Sequence, residues 1–447
     1  MTARRIARVI RNVVAAGVML AVAAPATFLL YAALGGPATT AIVVATVVAL
    51  HLRTRWLPGE PLTTSLRYFL DRPLIGGNPR LGILLLAMLS VGFTVLGLGY
   101  LPAGIAPAGT DGLIVDRILS GNTTLRFGKA PGDPLLVVLH GHIGQSDLGT
   151  PGLSLIDLAT EPPRVRFVPR PTSKPESATI LPDRGVVVVH ESGGPDSVQS
   201  VSLFIDPVTL ESRERVEEGF DRESWFERRF MVQAVFKSVY DPSTSQLYIV
   251  NRNKSEILAV PVDEFLAEGL GRARHYSVPE VPILEEAFLD PHNPRRLFCR
   301  GEFYARFMAE LDLDTGARRT IGVPPWHWGF TLDPTRPRIY LARGAANALS
   351  VIDRDRHEVV ANLLTPGLPR SVEFVAPLDL IAVGTYQGWK LLLLDARTFE
   401  TLARVPTCDL VRGLVFDDVT QALYVGDGCG VLRIRFTEGW RARRADP

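Results

Sequence analysis

The chain has 447 residues, which exceeds one ordinary domain and favours two structural units. Its 48 basic and 47 acidic residues are nearly balanced, so the composition excludes the strongly basic surface that is typical of nucleic-acid-binding proteins. Three cysteines are too few for a scaffold held together by disulfides.

Residues 1–101 contain three apolar stretches, which predict an anchor of about three transmembrane helices. The stretches 12–34 and 81–101 carry no charged residue, and the shorter stretch 38–52 follows the break at Gly35-Gly36-Pro37. An alternative for the first stretch is a cleaved signal peptide, since Ala21-Val22-Ala23 resembles a cleavage site. The apolar character continues past that point, which favours a retained helix.

Arginines flank these stretches and predict the orientation of the chain. Four of them precede the first stretch, and five lie between residues 53 and 80. Basic segments of membrane proteins stay in the cytoplasm, so everything after residue 101 is expected outside it. We therefore predict an integral cytoplasmic-membrane protein, with the bilayer as a partner, a cytoplasmic N-terminus, and a linker at residues 102–112.

After residue 120, one sequence phrase recurs seven times: a short apolar run behind a turn, then a second run that often ends in Asp. The clearest copy joins the turn Asp333-Pro334 to the runs Ile339–Leu341 and Leu349–Asp353. The second residues of the first runs are 137, 187, 248, 298, 340, 381 and 424. A period in the forties built from short strands is typical of propeller blades. We predict an all-β seven-bladed propeller over residues 113–447, with strands A to D in each blade.

The apolar-Tyr-apolar run and the Val-Ile-Asp run resemble the repeats of the YVTN-type seven-bladed propeller family. The resemblance covers roughly residues 120–436 and is strongest in the last three repeats. Repeats one to four depart from the family pattern, with longer loops and with the Tyr often replaced. The resemblance implies the fold and a binding or sensing role in the cell envelope, and it implies no catalytic residue.

The last repeat has no D strand of its own, which leaves the ring to be closed from elsewhere. Residues 112–115 are expected to supply that strand and so remove an unpaired edge. Cys408 and Cys429 flank the A–B hairpin of the same repeat, where antiparallel pairing would place them nearly opposite. A disulfide and two separate thiols are both open, because a slip of one residue would turn them to opposite faces.

The two faces of the predicted ring differ in their loops. The A–B and C–D turns share one face, here termed the turn face, and they are short and regular. The B–C loops and D–A connections share the other, here termed the loop face, and they vary widely, with a long charged insertion at residues 211–229. Loops on a rigid scaffold commonly carry function, so we expect a protein, small-molecule or glycan ligand to bind the loop face.

Residues that enter strand A should line the mouth of the central channel on the loop face. The candidate ligand-binding residues there are Glu176, Glu285, Trp326, His327, Trp328, Arg370 and Arg412. The arginines could hold an anionic group, and the tryptophans could stack on a planar or sugar-like one. The alternative is that Arg and Glu side chains pair with each other and only solvate the channel.

His140, His142 and His190 lie at the ends of B strands and could bind a divalent metal such as zinc. They show no compact metal-binding spacing, so no cofactor is predicted. The leading hypothesis is a membrane-anchored, extracytoplasmic binding module that acts as a sensor or scaffold of the cell envelope. The alternative is a hydrolase or lyase with its active site at the channel mouth. The sequence identifies no ligand, reaction or oligomeric state.

Overall fold

The computed structural model describes residues 109–445, apart from 122–123, 141–151, 171–172, 194–199, 218–236, 253, 282, 302–304, 345, 366, 387 and 409. The chain divides into two compact units, Met1–Ala103 and Gly104–Pro447. The predicted transmembrane stretches 12–34, 38–52 and 81–101 lie outside the described residues. Within the described residues, no helix combines the length and the apolar character needed to cross a bilayer.

The described residues form seven four-stranded antiparallel sheets, and this confirms the predicted seven-bladed propeller. The first three blades contain β2 (Thr124–Lys129), β3 (Leu135–His140), β4 (Gly152–Asp157) and β5 (Arg164–Pro169); β6 (Ser173–Leu181), β7 (Val186–Gly193), β8 (Ser200–Ile205) and β9 (Ser212–Glu217); β10 (Ser238–Asp241), β11 (Gln246–Asn251), β12 (Glu256–Pro261) and β13 (Arg274–Ser277). In the third blade, helix α1 (Val262–Glu268) lies between β12 and β13.

The remaining blades follow the same order. They contain β14 (Leu284–Asp290), β15 (Asn293–Gly301), β16 (Phe307–Asp312) and β17 (Arg318–Gly322); β18 (Gly329–Leu332), β19 (Arg338–Arg343), β20 (Ala348–Asp353) and β21 (Glu358–Leu364); β22 (Pro369–Val375), β23 (Leu380–Thr385), β24 (Lys390–Asp395) and β25 (Thr401–Pro406); β26 (Gly413–Asp417), β27 (Ala422–Asp427) and β28 (Gly430–Phe436). Helix α2 (Glu438–Ala445) follows β28.

The apolar runs are continuous because the inner strands are covered on both sides by neighbouring blades. Tyr340 and Leu341, adjacent in β19, are both completely buried although they face opposite sides of their sheet. The outermost strand β21 instead alternates between exposed and half-buried residues. The recurring Asp stabilises the A–B turn: Asp333 accepts hydrogen bonds from the amides of Thr335 (2.8 Å) and Arg336 (3.0 Å).

The predicted clasp between the two ends of the propeller is confirmed. Strand β1 (Leu113–Ser120) pairs with β28 as the outer strand of the last blade, with Leu113 opposite Phe436. This register places the start of β1 and the end of β28 together on the turn face. The described part of the chain therefore enters and leaves the propeller on the turn face.

One buried carboxylate joins the clasp to the rest of the last blade. Asp427 accepts hydrogen bonds from both terminal nitrogens of Arg117 in β1 (2.9 and 3.0 Å) and from the backbone amides of Cys408 and Cys429 (2.9 Å each). Cys408 and Cys429 form a disulfide, and their Cα atoms are 5.9 Å apart. Asp427 thus ties the first strand to both cysteine backbones at the loop face.

One boundary differs from the sequence prediction. The charged insertion was placed at residues 211–229, but Ser212–Glu217 form β9, the outer strand of the second blade. Most of its residues are exposed because an outer strand meets solvent, so charge alone did not distinguish it from a loop. The rest of the predicted insertion lies outside the described residues.

Candidate functional site

β-bulges shape the loop-face end of the A strands in blades 2, 4 and 6. The pairing with strand B skips one residue in each of them: Glu176, Glu285 and Arg370. A bulge inserts an extra, unpaired residue and changes the direction of its side chain. Side chains along a strand normally alternate between the two neighbouring blades. The three bulge residues do not follow this alternation.

Electrostatic coupling shows that these side chains come together across the ring. The pKa of Arg370, in blade 6, responds to Arg412 in blade 7, Glu285 in blade 4 and Arg126 in blade 1. The A strands of neighbouring blades contact one another and line the centre of the ring, which places these charges at the central channel. We define the mouth cluster as six cationic side chains and three carboxylates of the described residues: Arg126, Glu176, Lys237, Arg252, Glu285, Glu286, Arg300, Arg370 and Arg412.

On the side of blades 3 and 4, the mouth cluster neutralises itself. The completely buried guanidinium of Arg300 donates to Glu285 (2.8 Å) and Glu286 (3.0 Å). Lys237 pairs with Glu286, and Arg252 lies 3.5 Å from Glu285. Burial opposes the ionisation of Glu285, but Arg300 and Arg252 lower its pKa to about 2. This half therefore behaves as a network of ion pairs.

On the side of blades 1, 6 and 7, the cluster is different. Among the described residues, no carboxylate lies within 4.0 Å of Arg126, Arg370 or Arg412. The Cζ atom of Arg370 lies 5.1 Å from the ring centroids of both Trp328 and Tyr386. Arg412 lies 5.1 Å from the ring centroid of Tyr386 and donates to its hydroxyl at 2.9 Å. Two guanidinium groups thus share one aromatic ring.

Burial lowers the pKa of arginines on this side of the cluster and leaves some of their donors without acceptors among the described residues. Burial, together with the nearby charge of Arg412, lowers the pKa of Arg370 to about 9. Burial also lowers the pKa of Arg126, against the opposing effect of Glu176. Nη1 of Arg126 and Nε of Arg412 are buried without a hydrogen-bond acceptor. Such orphaned donors are uncommon in folded proteins and call for an explanation.

The backbone shows which residue of blade 5 occupies the equivalent position. In blades 4 to 7, a non-glycine residue with φ between +53° and +72° stands two places before the mouth position: Ile283, Trp326, Leu368 and Leu410 precede Glu285, Trp328, Arg370 and Arg412. Positive φ is uncommon outside glycine, so its recurrence at one place identifies equivalent positions. The blade 5 residue is therefore Trp328 rather than His327.

The predicted ligand-binding residues accordingly divide into two groups. The structure brings Glu176, Glu285, Arg370 and Arg412 into the mouth cluster and places Trp328 beside it. His327 is completely buried next to the cluster: its Nε2 bonds the carbonyl of Ala305 at 2.9 Å, and its own carbonyl accepts a long hydrogen bond from Arg300 (3.5 Å). Trp326 lies on the surface with 45% of its area exposed. Its neighbour Trp328 packs against Gly344, where any Cβ would clash with the indole.

Several residues of the site escaped the sequence prediction. Arg126 and Lys237 both stand at the entry to strand A, so the repeat itself carried a signal for them. In blade 1, however, the bulge skips Leu125 and shifts Arg126 by one place, and in blade 3 the long insertion before Lys237 obscured the alignment. Arg300 and Tyr386, at the end of strand B and just after it, carried no signal in the alignment on strand A.

The histidines proposed for a metal occupy different surroundings. His190 bonds the hydroxyls of Ser202 (3.1 Å) and Ser238 (3.0 Å) through its two ring nitrogens, and His140 bonds Ser154 at 2.9 Å. His142 lies outside the described residues. Within the described part of the chain, the one group of three possible metal ligands is Cys408, Asp427 and Cys429, of which the cysteines are bonded to each other. The metal site therefore stays a prediction.

Comparisons with known proteins support the fold and nothing more specific. No protein-family model matches the chain, and no curated protein matches it. A solved structure of streptogramin B lyase is similar, with a TM-score of 0.54 and 10% sequence identity, over 74% of this chain and 100% of that chain. At this identity the likeness shows the propeller fold alone.

Proposed function

We propose that this chain is a membrane-anchored propeller of the cell envelope whose loop face binds a ligand or partner at the channel mouth. The observation that carries the proposal is the mouth cluster, to which six of the seven blades contribute charged side chains. Bulges direct some of these side chains out of the regular packing, and Trp328 and Tyr386 lie beside them. Convergent polar groups next to aromatic side chains are typical of ligand sites.

The alternative, a channel whose charges only pair with one another, accounts for half of the cluster. Arg300, Glu285 and Glu286 form such a network. Arg370 and Arg412 do not, since no described carboxylate pairs with them. Positive and negative charges are balanced in one half of the cluster and unbalanced in the other. This imbalance favours a ligand-binding role over charges that only solvate the channel.

An enzyme is the less favoured alternative. It would need an acid or base at the mouth, and histidine is the usual choice at neutral pH. Burial lowers the pKa of both His190 and His327 to about 3, so neither carries a proton to donate near pH 7. The similarity to a lyase lends the enzyme no support beyond the shared fold.

The proposed anchoring rests on the three apolar stretches of residues 1–101 and on the arginines beside them. The bond between Cys408 and Cys429 fits an oxidising compartment. A reporter enzyme fused after Pro447 should be active only outside the cytoplasm, and activity inside would overturn this part of the proposal.

A ligand screen tests the binding function. The full-length protein would be heated with a panel of small anionic, neutral and cationic compounds, and stabilising compounds would be retested on Trp328→Ala. The matched control is Trp440→Phe in α2, which packs against Phe436 on the turn face. We expect the stabilisation to be lost in the first variant and kept in the second. Compounds that stabilise both variants equally would place the site elsewhere.

A further inference from the structure

The arginine side of the mouth cluster has guanidinium donors in excess of its acceptors. Arg126, Arg370 and Arg412 come from three blades that are consecutive around the closed ring. Of the cluster's carboxylates, Glu176 acts on Arg126, and Glu285 acts on both Arg126 and Arg370. Glu285 and Glu286 are already bonded to Arg300 on the other side. Three guanidinium groups thus face two carboxylates, one of which already pairs with Arg300, so positive charge remains in excess.

The aromatic residues hold these guanidinium groups in place without neutralising them. Arg370 lies against Trp328 and Tyr386, and Arg412 is fixed by its hydrogen bond to the Tyr386 hydroxyl. Ring faces attract cations but offer no lone pair in the guanidinium plane. Arg412 uses one N–H on the Tyr386 hydroxyl, and among the described residues no carboxylate lies within 4.0 Å of either guanidinium group, so their other N–H donors are left for an acceptor. A carboxylate or phosphate suits such edges because its oxygens accept parallel hydrogen bonds.

The orphaned donors point the same way. Nη1 of Arg126 and Nε of Arg412 are buried and have no acceptor among the described residues. Folding brings like charges together here, with Arg412 close enough to Arg370 to act on its ionisation. Repulsion between these charges opposes folding, and a bound anion would relieve it. A protein that keeps such an arrangement therefore points to a ligand of opposite charge.

We propose that the arginine side of the channel mouth is a binding site for an anionic group, a carboxylate or phosphate carried by a small ligand, with Arg126, Arg370 and Arg412 as its donors. This inference rests on the proposed binding function and specifies the charge of the ligand. Arg370 and Arg412 are preorganised by the aromatic rings, so the anion does not have to order flexible side chains. The opposite side of the mouth, with its ion pairs, would limit the site to blades 1, 6 and 7.

The test is calorimetric titration of the full-length protein with three probes: inorganic phosphate, acetate and glucose. Chloride would keep the ionic strength constant, so that general screening does not imitate binding. We expect phosphate or acetate to bind the wild type and glucose not to bind. Arg370→Gln and Arg412→Gln should each weaken the anion by about tenfold or more. The control, Arg356→Gln, alters an arginine whose side chain is 76% exposed on the turn face, and it should stay within about twofold of wild type.

Two further variants keep the result interpretable. Arg370→Lys retains the charge without the planar group, so it should recover part of the affinity that Arg370→Gln loses. Circular dichroism would show whether each variant is folded. If Arg370→Gln does not fold, the test relies on Arg412→Gln. Equal anion binding by wild type and both Gln variants would overturn the proposal. If glucose binds instead and is lost in Trp328→Ala, the anion site falls while the binding function stands.

Discussion

Arg370 should lower the stability of the fold that it serves. Burial lowers its pKa far below the ordinary value for arginine, to about 9, which corresponds to a cost of about 5 kcal/mol at about 1.4 kcal/mol per pKa unit. Both values lie above 7, so the penalty is fully present at pH 7 and is relieved only as the pH rises through and above about 9. Contacts with Trp328 and Tyr386 offset part of it, at about 1–2 kcal/mol each, and partial access to water reduces it further.

The variant Arg370→Met keeps the length of the apolar stem and removes the charge. We expect it to be more stable than the wild type by about 1–2 kcal/mol, since replacing a poorly compensated buried charge with an apolar side chain is often stabilising. Thermal unfolding of the full-length protein would show this as a rise of roughly 2–5 °C in Tm. The control Arg356→Met should leave Tm unchanged. At the same time, Arg370→Met should lose anion binding.

A fall in stability would refute this reasoning. Removing one partner of a buried ion pair typically costs about 3–5 kcal/mol. If Arg370→Met loses that much, Arg370 is balanced by a negative charge within the protein, and the excess charge on which the anion site depends does not exist.

Three other predictions follow from the described contacts. Asp427→Asn should destabilise the closed ring by about 3–5 kcal/mol, seen as a lower midpoint in urea, because it leaves Arg117 without its carboxylate; an unchanged midpoint would show that the clasp does not depend on this pair. Reducing the bond between Cys408 and Cys429, which are 21 residues apart, should cost about 3 kcal/mol, with no effect of reductant on the double Ser variant. Burial raises the pKa of Glu373 to about 8, so its contribution to stability is fully present below its unfolded pKa and is lost as the pH rises through about 8. Glu373→Gln should therefore gain stability over wild type at pH 9 compared with pH 5, and equal differences at the two pH values would contradict the burial of this carboxyl.

The architecture could be predicted because it repeats. Each blade needs the same turns and the same buried strands, so Asp333 and its equivalents recur at intervals that reveal seven units. The closing strand at Leu113 could be predicted for a related reason, since the last repeat lacked its outer strand and a closed ring needs one.

The site could be predicted only in part, because it depends on departures from the repeat. The positive φ that recurs two places before the mouth position is a property of the folded backbone, and the sequence therefore could not distinguish Trp328 from His327. Tyr386 follows strand B of blade 6 and meets Arg370 and Arg412 only in the folded chain, so no local pattern marked it. The sequence showed which face to inspect, and the register determined which side chains meet there.

The most direct test of the central claim is to locate a bound anion. Crystals of the protein soaked with selenate, an analogue of sulfate, would be measured at the selenium absorption edge, where the anomalous signal marks each anion. We expect the strongest peak at the channel mouth, within hydrogen-bonding distance of Arg370 and Arg412, and no such peak in Arg370→Gln crystals. Selenate found only on the turn face, or equally at the mouth of wild type and variant, would contradict the account.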